Sequence, residues 1–142
     1  MEEKVHRKSN ADIKSIDDLT KIPFADRGRG NGGVDCWGCT MIAHKILTNK
    51  ELPDFNVGAF NVGKIFAIIN HQDEFGDWER VGGPSRGVIL IIKNHPKFVN
   101  HTGVCIDDKH FIHSIEKANT VIEKIDHPLW KNRIHGYYRY TR

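Results

Sequence analysis

The sequence predicts an α+β fold, with helices near the N-terminus packed on an antiparallel sheet of about five or six strands. Three observations predict it. Apolar residues recur at helical spacing up to about residue 74. After Gly82-Gly83-Pro84 the pattern changes to short, mostly apolar segments at strand spacing. The segments are joined by turns too short to carry crossover helices, so helices come first and a meander follows. The 142 residues suit one domain, read as a flexible N-terminus over 1–10 and a single domain over 11–142.

Taken in order, Ser15-Ile16-Asp17-Asp18 looks like a helix N-cap with an acidic residue three places on, and Pro23 stops a short helix by about Lys21. Residues 24–34 read as loop, with Arg27 and Arg29 among glycines. A helix from about Cys36 to Asn49 carries Ile42, Ala43, Ile46 and Leu47 at spacings that bury one face. A second helix fits Asn61 to Glu74, with Asn61 as cap, Val62, Ile65, Phe66 and Ile69 as its buried stripe, and Gly76 as its stop. Gly87 to Lys93 reads as a strand buried on both faces. His101–Ile106, Lys109–Ile115, Thr120–Ile125 and Tyr137–Tyr140 follow as strands.

Bulk properties exclude several functions. A net charge of +3 with no dense basic stripe argues against nucleic acid. The longest apolar run, Val88-Ile89-Leu90-Ile91-Ile92, is too short to insert in a membrane. Three cysteines, an odd number, read as reduced thiols. The charged start Met1-Glu2-Glu3-Lys4 has no apolar core, so no signal peptide is expected. Neither a metal nor a cofactor is called for, and histidines 44, 71, 95, 110, 127 and 135 show no zinc spacing and read as surface residues.

The stretch that carries chemistry is Gly28-Arg29-Gly30-Asn31-Gly32-Gly33-Val34-Asp35-Cys36-Trp37-Gly38-Cys39. It places Cys36 in the first turn of a helix, where unpaired N–H groups favour negative charge. A thiol there is expected to ionise more readily than usual. Its partners lie in the meander. For the two imidazoles to meet, His101 must lie opposite or diagonal to His113, which needs an odd loop in the hairpin between them. Direct opposition pairs Cys105 with Lys109 across Ile106-Asp107-Asp108, whereas a two-residue loop sends the rings to opposite faces. A cysteine, a histidine base and a third group orienting the base are the parts of acyl transfer through a thioester. Around them, Arg27 and Arg29 are either solvated or hold an acidic substrate group, and Asp35 either caps the helix or binds a substrate amine. Cys36-Trp37-Gly38-Cys39 is also a C-x-x-C, but the βαβ context of a thiol exchanger is missing.

These residues resemble the NlpC/P60 cysteine peptidases, most of all their phage-tail branch. The resemblance rests on Ile22-Pro23-Phe24, Asp35-Cys36-Trp37-Gly38, Asn100-His101-Thr102-Gly103-Val104, Phe111-Ile112-His113-Ser114 and Gly136-Tyr137-Tyr138-Arg139, in that order. It implies a papain-like fold, Cys36 as nucleophile, His101 as general base and acid, and His113 as its orienter. It also implies that Phe24, where the family commonly has tyrosine, and Trp37, where most members have serine, help shape a substrate cleft. The implied substrate is a peptidoglycan peptide. The implied settings are a phage virion, with other tail proteins as partners, or the bacterial cytoplasm before export. The alternatives are a tail-tip structural or assembly protein with little or no hydrolase activity, or a C-x-x-C thiol oxidoreductase.

Overall fold

The computed structural model describes residues 13–30, 32–58, 63–70, 76–97 and 99–142, apart from the side chains of residues 68 and 70. The expected loose N-terminus over 1–10 lies outside them, as do the ends of the second expected helix, Asn61, Val62 and Glu74. In chain order the elements are α1 (Ile16–Leu19), β1 (Arg29–Gly30), β2 (Gly33–Val34), α2 (Cys36–Thr48), α3 (Gly63–Asn70), β3 (Trp78–Val81), β4 (Ile89–Ile92), β5 (His101–Cys105), β6 (His110–Ile115), β7 (Asn119–Lys124) and β8 (Ile134–Tyr140).

Strands β3 to β8 form one six-stranded antiparallel sheet in the order β3-β8-β4-β5-β6-β7. Helices therefore precede a sheet, as the sequence pattern requires. The sequence pattern assigns no element to β3. It is short, and its partner β8 lies far along the chain, pairing Trp78 with Tyr140. The glycine loop also holds a small ladder, β1 against β2, which pairs Arg29 with Val34.

Strand β4 shows why its apolar run is unbroken. Ile89 and Ile91 join the core shared with Leu19, Ala43, Leu47 and Ile65. Leu90 and Ile92 face a second cluster with Cys105, Phe111, Ile125 and Trp130. Each such side chain, fully buried, contributes about 1.5–3 kcal/mol of hydrophobic stabilisation.

Helix α2 starts and stops where its sequence dictates. The Asp35 carboxylate accepts from the Gly38 N–H at 2.8 Å, and Asn49 closes the helix in the left-handed conformation at φ 62°. Its buried face is turned relative to the expected one: Cys36, Cys39, Thr40, Ala43, His44 and Leu47 are buried, while Ile42 and Ile46 are half-buried. His44, expected at the surface, is inside. Its Nδ1 lies 3.1 Å from the Lys50 carbonyl oxygen, and burial lowers its pKa. Gly38 is required here because a Cβ would strike the Gly28 carbonyl oxygen of the loop. Among the described residues no helix is long and apolar enough to cross a membrane.

Candidate active site

The cysteine is delivered by the capped start of α2. Cys36 is the first residue of the helix, and its carbonyl accepts from the Thr40 hydroxyl at 2.8 Å and from the Thr102 hydroxyl at 3.3 Å. The two hydroxyl oxygens lie 3.1 Å apart beside that carbonyl, so the helix is tied to β5 next to His101. The preceding loop is fixed from below, where the Ser114 hydroxyl donates to the Val34 carbonyl at 3.1 Å. Phe24 bridges to Val34, and its N–H donates to the Asn119 side chain at 3.0 Å.

The two imidazoles meet. His101 Nε2 lies 2.7 Å from His113 Nδ1, with the ring centroids 5.0 Å apart. The register that achieves this differs from direct opposition. Val104 faces Ile112 and Cys105 faces Phe111, so His101 is diagonal to His113. Ile106 donates to the His110 carbonyl at 2.9 Å, leaving Asp107-Asp108-Lys109 as the turn. The Asp107 carboxylate selects that turn by accepting from the Lys109 and His110 N–H groups at 2.8 and 2.7 Å. The loop keeps odd parity, so both rings stay on one face.

Behind His113 stand groups that the sequence reading passed over. His113 Nε2 lies 2.6 Å from Glu123 Oε2, and the Trp130 indole N–H donates to the same oxygen at 2.7 Å. The parity of the hairpin carries a signal for Glu123: β7 pairs it with Phe111, which shares a face with His113. Trp130 comes from the connection before β8 and had no local signal.

Cys36 and His101 line one cleft of about 340 Å³, together with Phe24, Asn94, Asn100, Ser114, Ile115 and Glu116. It opens at the end of the sheet where β5 begins and β6 ends. Cys36 is 3% exposed and His101 5%. This burial overturns the expectation of an acidic thiol. It pushes the Cys36 pKa up to about 11 from 9.0, helped by the neighbouring Asp35 carboxylate and opposed by hydrogen bonds from Thr102 and Trp37. That rise favours thiol by about 3 kcal/mol, more than the ~0.3–2 kcal/mol a helix N-terminus supplies. Burial and the neighbouring His113 lower the His101 pKa well below its usual value, and burial takes His113 to about 3. Burial thus pushes both groups towards their neutral forms, thiol on Cys36 and imidazole on His101.

The other expected substrate contacts divide. Phe24 is in the cleft. Asp35 is fully buried and serves as the cap, accepting also from the Arg27 N–H at 3.0 Å and from Arg29 Nη1 at 2.8 Å, so it has no surface for a substrate amine. Arg29 is spent on structure, reaching Asp54 at 2.9 Å and the Val57 carbonyl at 2.6 Å as well. Trp37 is fully buried and its indole donates to the Pro53 carbonyl at 3.0 Å, so it supports the site from within the core. Arg27 is exposed, with its guanidinium near the Asn56 carbonyl at 3.4 Å and away from the cleft lining.

Comparison with known proteins agrees with this architecture. Solved structures similar to this chain include a lipoprotein-like NLP/P60 family protein from Staphylococcus aureus, with a TM-score of 0.58 and 14% identity over 87% of this chain and 38% of that one. Another is an NlpC/P60 family protein from Bacillus cereus, with a TM-score of 0.53 and 18% identity over 94% of this chain and 43% of that one. The chain thus spans less than half the length of either protein, and the likeness speaks for the fold. No match was found among curated proteins. The family model for NlpC/P60 matches residues 21–139, nearly the whole chain, and this protein belongs to the NlpC/P60 family.

Proposed function

We propose that this chain is a cysteine peptidase or amidase that hydrolyses peptide bonds of bacterial peptidoglycan through a thioester on Cys36. The family is typically one of cysteine peptidases acting on such peptides. The observation that carries the reading is the shared cleft, with Cys36 at a helix start and His101 backed by His113.

The resting groups define the first step. Burial favours the neutral form of both, so His101 takes the thiol proton as the sulfur–carbon bond forms, rather than before it. Negative charge develops on the carbonyl oxygen, where the unpaired N–H groups at the opening of α2 suit it. The C–N bond then breaks and His101 passes the proton to the leaving amine. Water, deprotonated by the same imidazole, hydrolyses the thioester and restores the thiol. His113 holds the ring of His101 throughout. Phe24, Asn94, Asn100 and Glu116 on the cleft walls are the groups placed to meet the peptide.

A phage-tail setting is a finer part of the proposal, supported by the sequence likeness at Asp35-Cys36-Trp37-Gly38. Thiol exchange is disfavoured by the burial of Cys39, which is fully covered and whose pKa is driven far up by that burial. The test is digestion of purified sacculi with wild type, Cys36→Ala and Cys39→Ala, followed by mass analysis of released peptides. Release by wild type and Cys39→Ala but not Cys36→Ala is the expected result. No release by folded wild type refutes the hydrolase and favours a structural role. Dependence on both cysteines, with disulfide reduction, favours redox chemistry.

A further inference from the structure

With an ionised Glu123 and a neutral His113, the donor and acceptor inventory of the line behind His101 permits one proton arrangement. An indole N–H only donates, and an ionised carboxylate only accepts. Trp130 donates to Glu123 Oε2, so that oxygen is an acceptor for His113 Nε2 as well. Nε2 of His113 therefore carries the hydrogen. A neutral imidazole has one N–H, which leaves Nδ1 of His113 as a bare acceptor for His101 Nε2 at 2.7 Å. His101 is left with its lone pair on Nδ1, the one ring nitrogen that the line does not use.

The packing fixes this line in place. Trp130 is 2% exposed and stands edge-on to His113, with centroids 4.8 Å apart at 88°. It also stacks over His101 at 6.1 Å and 24°. One indole thus bounds both imidazoles and anchors the carboxylate. His113 is fully buried, so no water competes for its nitrogens, whereas the Glu123 side chain keeps 21% exposure and its solvation.

Resting on the reading of His101 as the base, we propose that Glu123 and Trp130 are positioning residues of the hydrolase. They set the tautomer of His113, which places the lone pair of His101 on Nδ1. The Glu123 charge then steadies the imidazolium that forms when His101 takes the Cys36 proton, and it releases that hold when the proton moves to the leaving amine. No proton needs to travel to Glu123 itself.

The test joins two measurements on the full chain. Histidine ring ¹⁵N spectra without substrate report the tautomers directly. Wild type should show Nδ1 unprotonated on both rings, and Glu123→Leu should show mixed tautomers. Glu123→Gln retains a carbonyl acceptor and loses only charge. It should keep the tautomers, lower kcat/KM on a peptidoglycan peptide by about tenfold, and shift the acidic limb of the pH profile to lower pH. Trp130→Phe keeps the packing, loses the donor and should cost about threefold. A protonated His113 Nδ1 in wild type, unchanged tautomers in Glu123→Leu, or an unmoved acidic limb in Glu123→Gln each overturns the proposal. If Glu123→Leu does not fold, Glu123→Gln decides alone. A wild type that shows these tautomers, lost in Glu123→Leu, yet releases no peptide refutes the hydrolase reading and supports the tautomer assignment.

Discussion

Replacing Asp35 by asparagine should weaken the fold and make the Cys36 thiol more acidic at the same time. The carboxylate is fully buried and accepts from the Gly38 and Arg27 N–H groups and from Arg29. Asparagine offers one carbonyl oxygen, enough for the cap at Gly38. Its amide nitrogen then faces the Arg27 N–H, donor against donor, and that backbone group is left unpaired at a cost of about 1–3 kcal/mol. Arg29 keeps the asparagine oxygen as a neutral acceptor, together with Asp54 and the Val57 carbonyl, so losing the charge costs less than the 3–5 kcal/mol expected for a stranded buried charge. A total near 3 kcal/mol moves the urea midpoint down by about 2 M. The Asp35 charge also raises the thiol pKa, so its removal should lower that pKa by about one unit. Urea titration and the pH dependence of iodoacetamide labelling, followed by mass spectrometry, read the two effects separately. An unchanged midpoint would refute the account of the cap, and a thiol pKa that rises would refute the account of its electrostatics.

Three further outcomes follow from the same structure. Gly38→Ala should cost about 3 kcal/mol or prevent folding, because the new methyl meets the Gly28 carbonyl; a melting temperature within a degree of wild type contradicts that contact. Stability should fall as pH drops from 6.5 towards 3, since unfolded histidines bind protons that buried His113 and His101 refuse; His113 alone sets a ceiling of about 5 kcal/mol, and the raised Asp35 pKa works the opposite way. Urea titrations at pH 7, 5 and 4 that show no decline contradict it. In native protein iodoacetamide should label Cys36 before Cys39 and Cys105, which are fully buried, and equal labelling of all three means that the burial is wrong.

What could be read from the sequence was whatever local chemistry decides. Ser15 and Asp35 mark helix starts because a side-chain oxygen there accepts from its own chain three residues on. The meeting of His101 with His113 was foreseeable as parity, since side chains alternate with period two, but its offset was not. The offset depends on Asp107 capturing two backbone N–H groups in the turn. Strand β3 stayed hidden because only β8, far away in sequence, gives its residues a partner. The thiol was misjudged for a related reason. The helix start is local and visible, whereas the burial that outweighs it is contributed by the whole fold. Glu123 illustrates the limit from the other side: on its own strand it resembles any solvated acid, and only Trp130 and His113 give it a task.

The place of β8 in the sheet has a consequence for folding. It lies between β3 and β4, yet it follows the other five strands of that sheet in the chain. Before residues 134–140 dock, β4 has one bare edge and β3 has no partner in the sheet at all. Open edges of that kind recruit other chains. Closure must also wait for contacts distant in sequence, which slows it. The sheet is therefore completed by a segment distant in sequence, which enters beside β4 and brings β3 in with it.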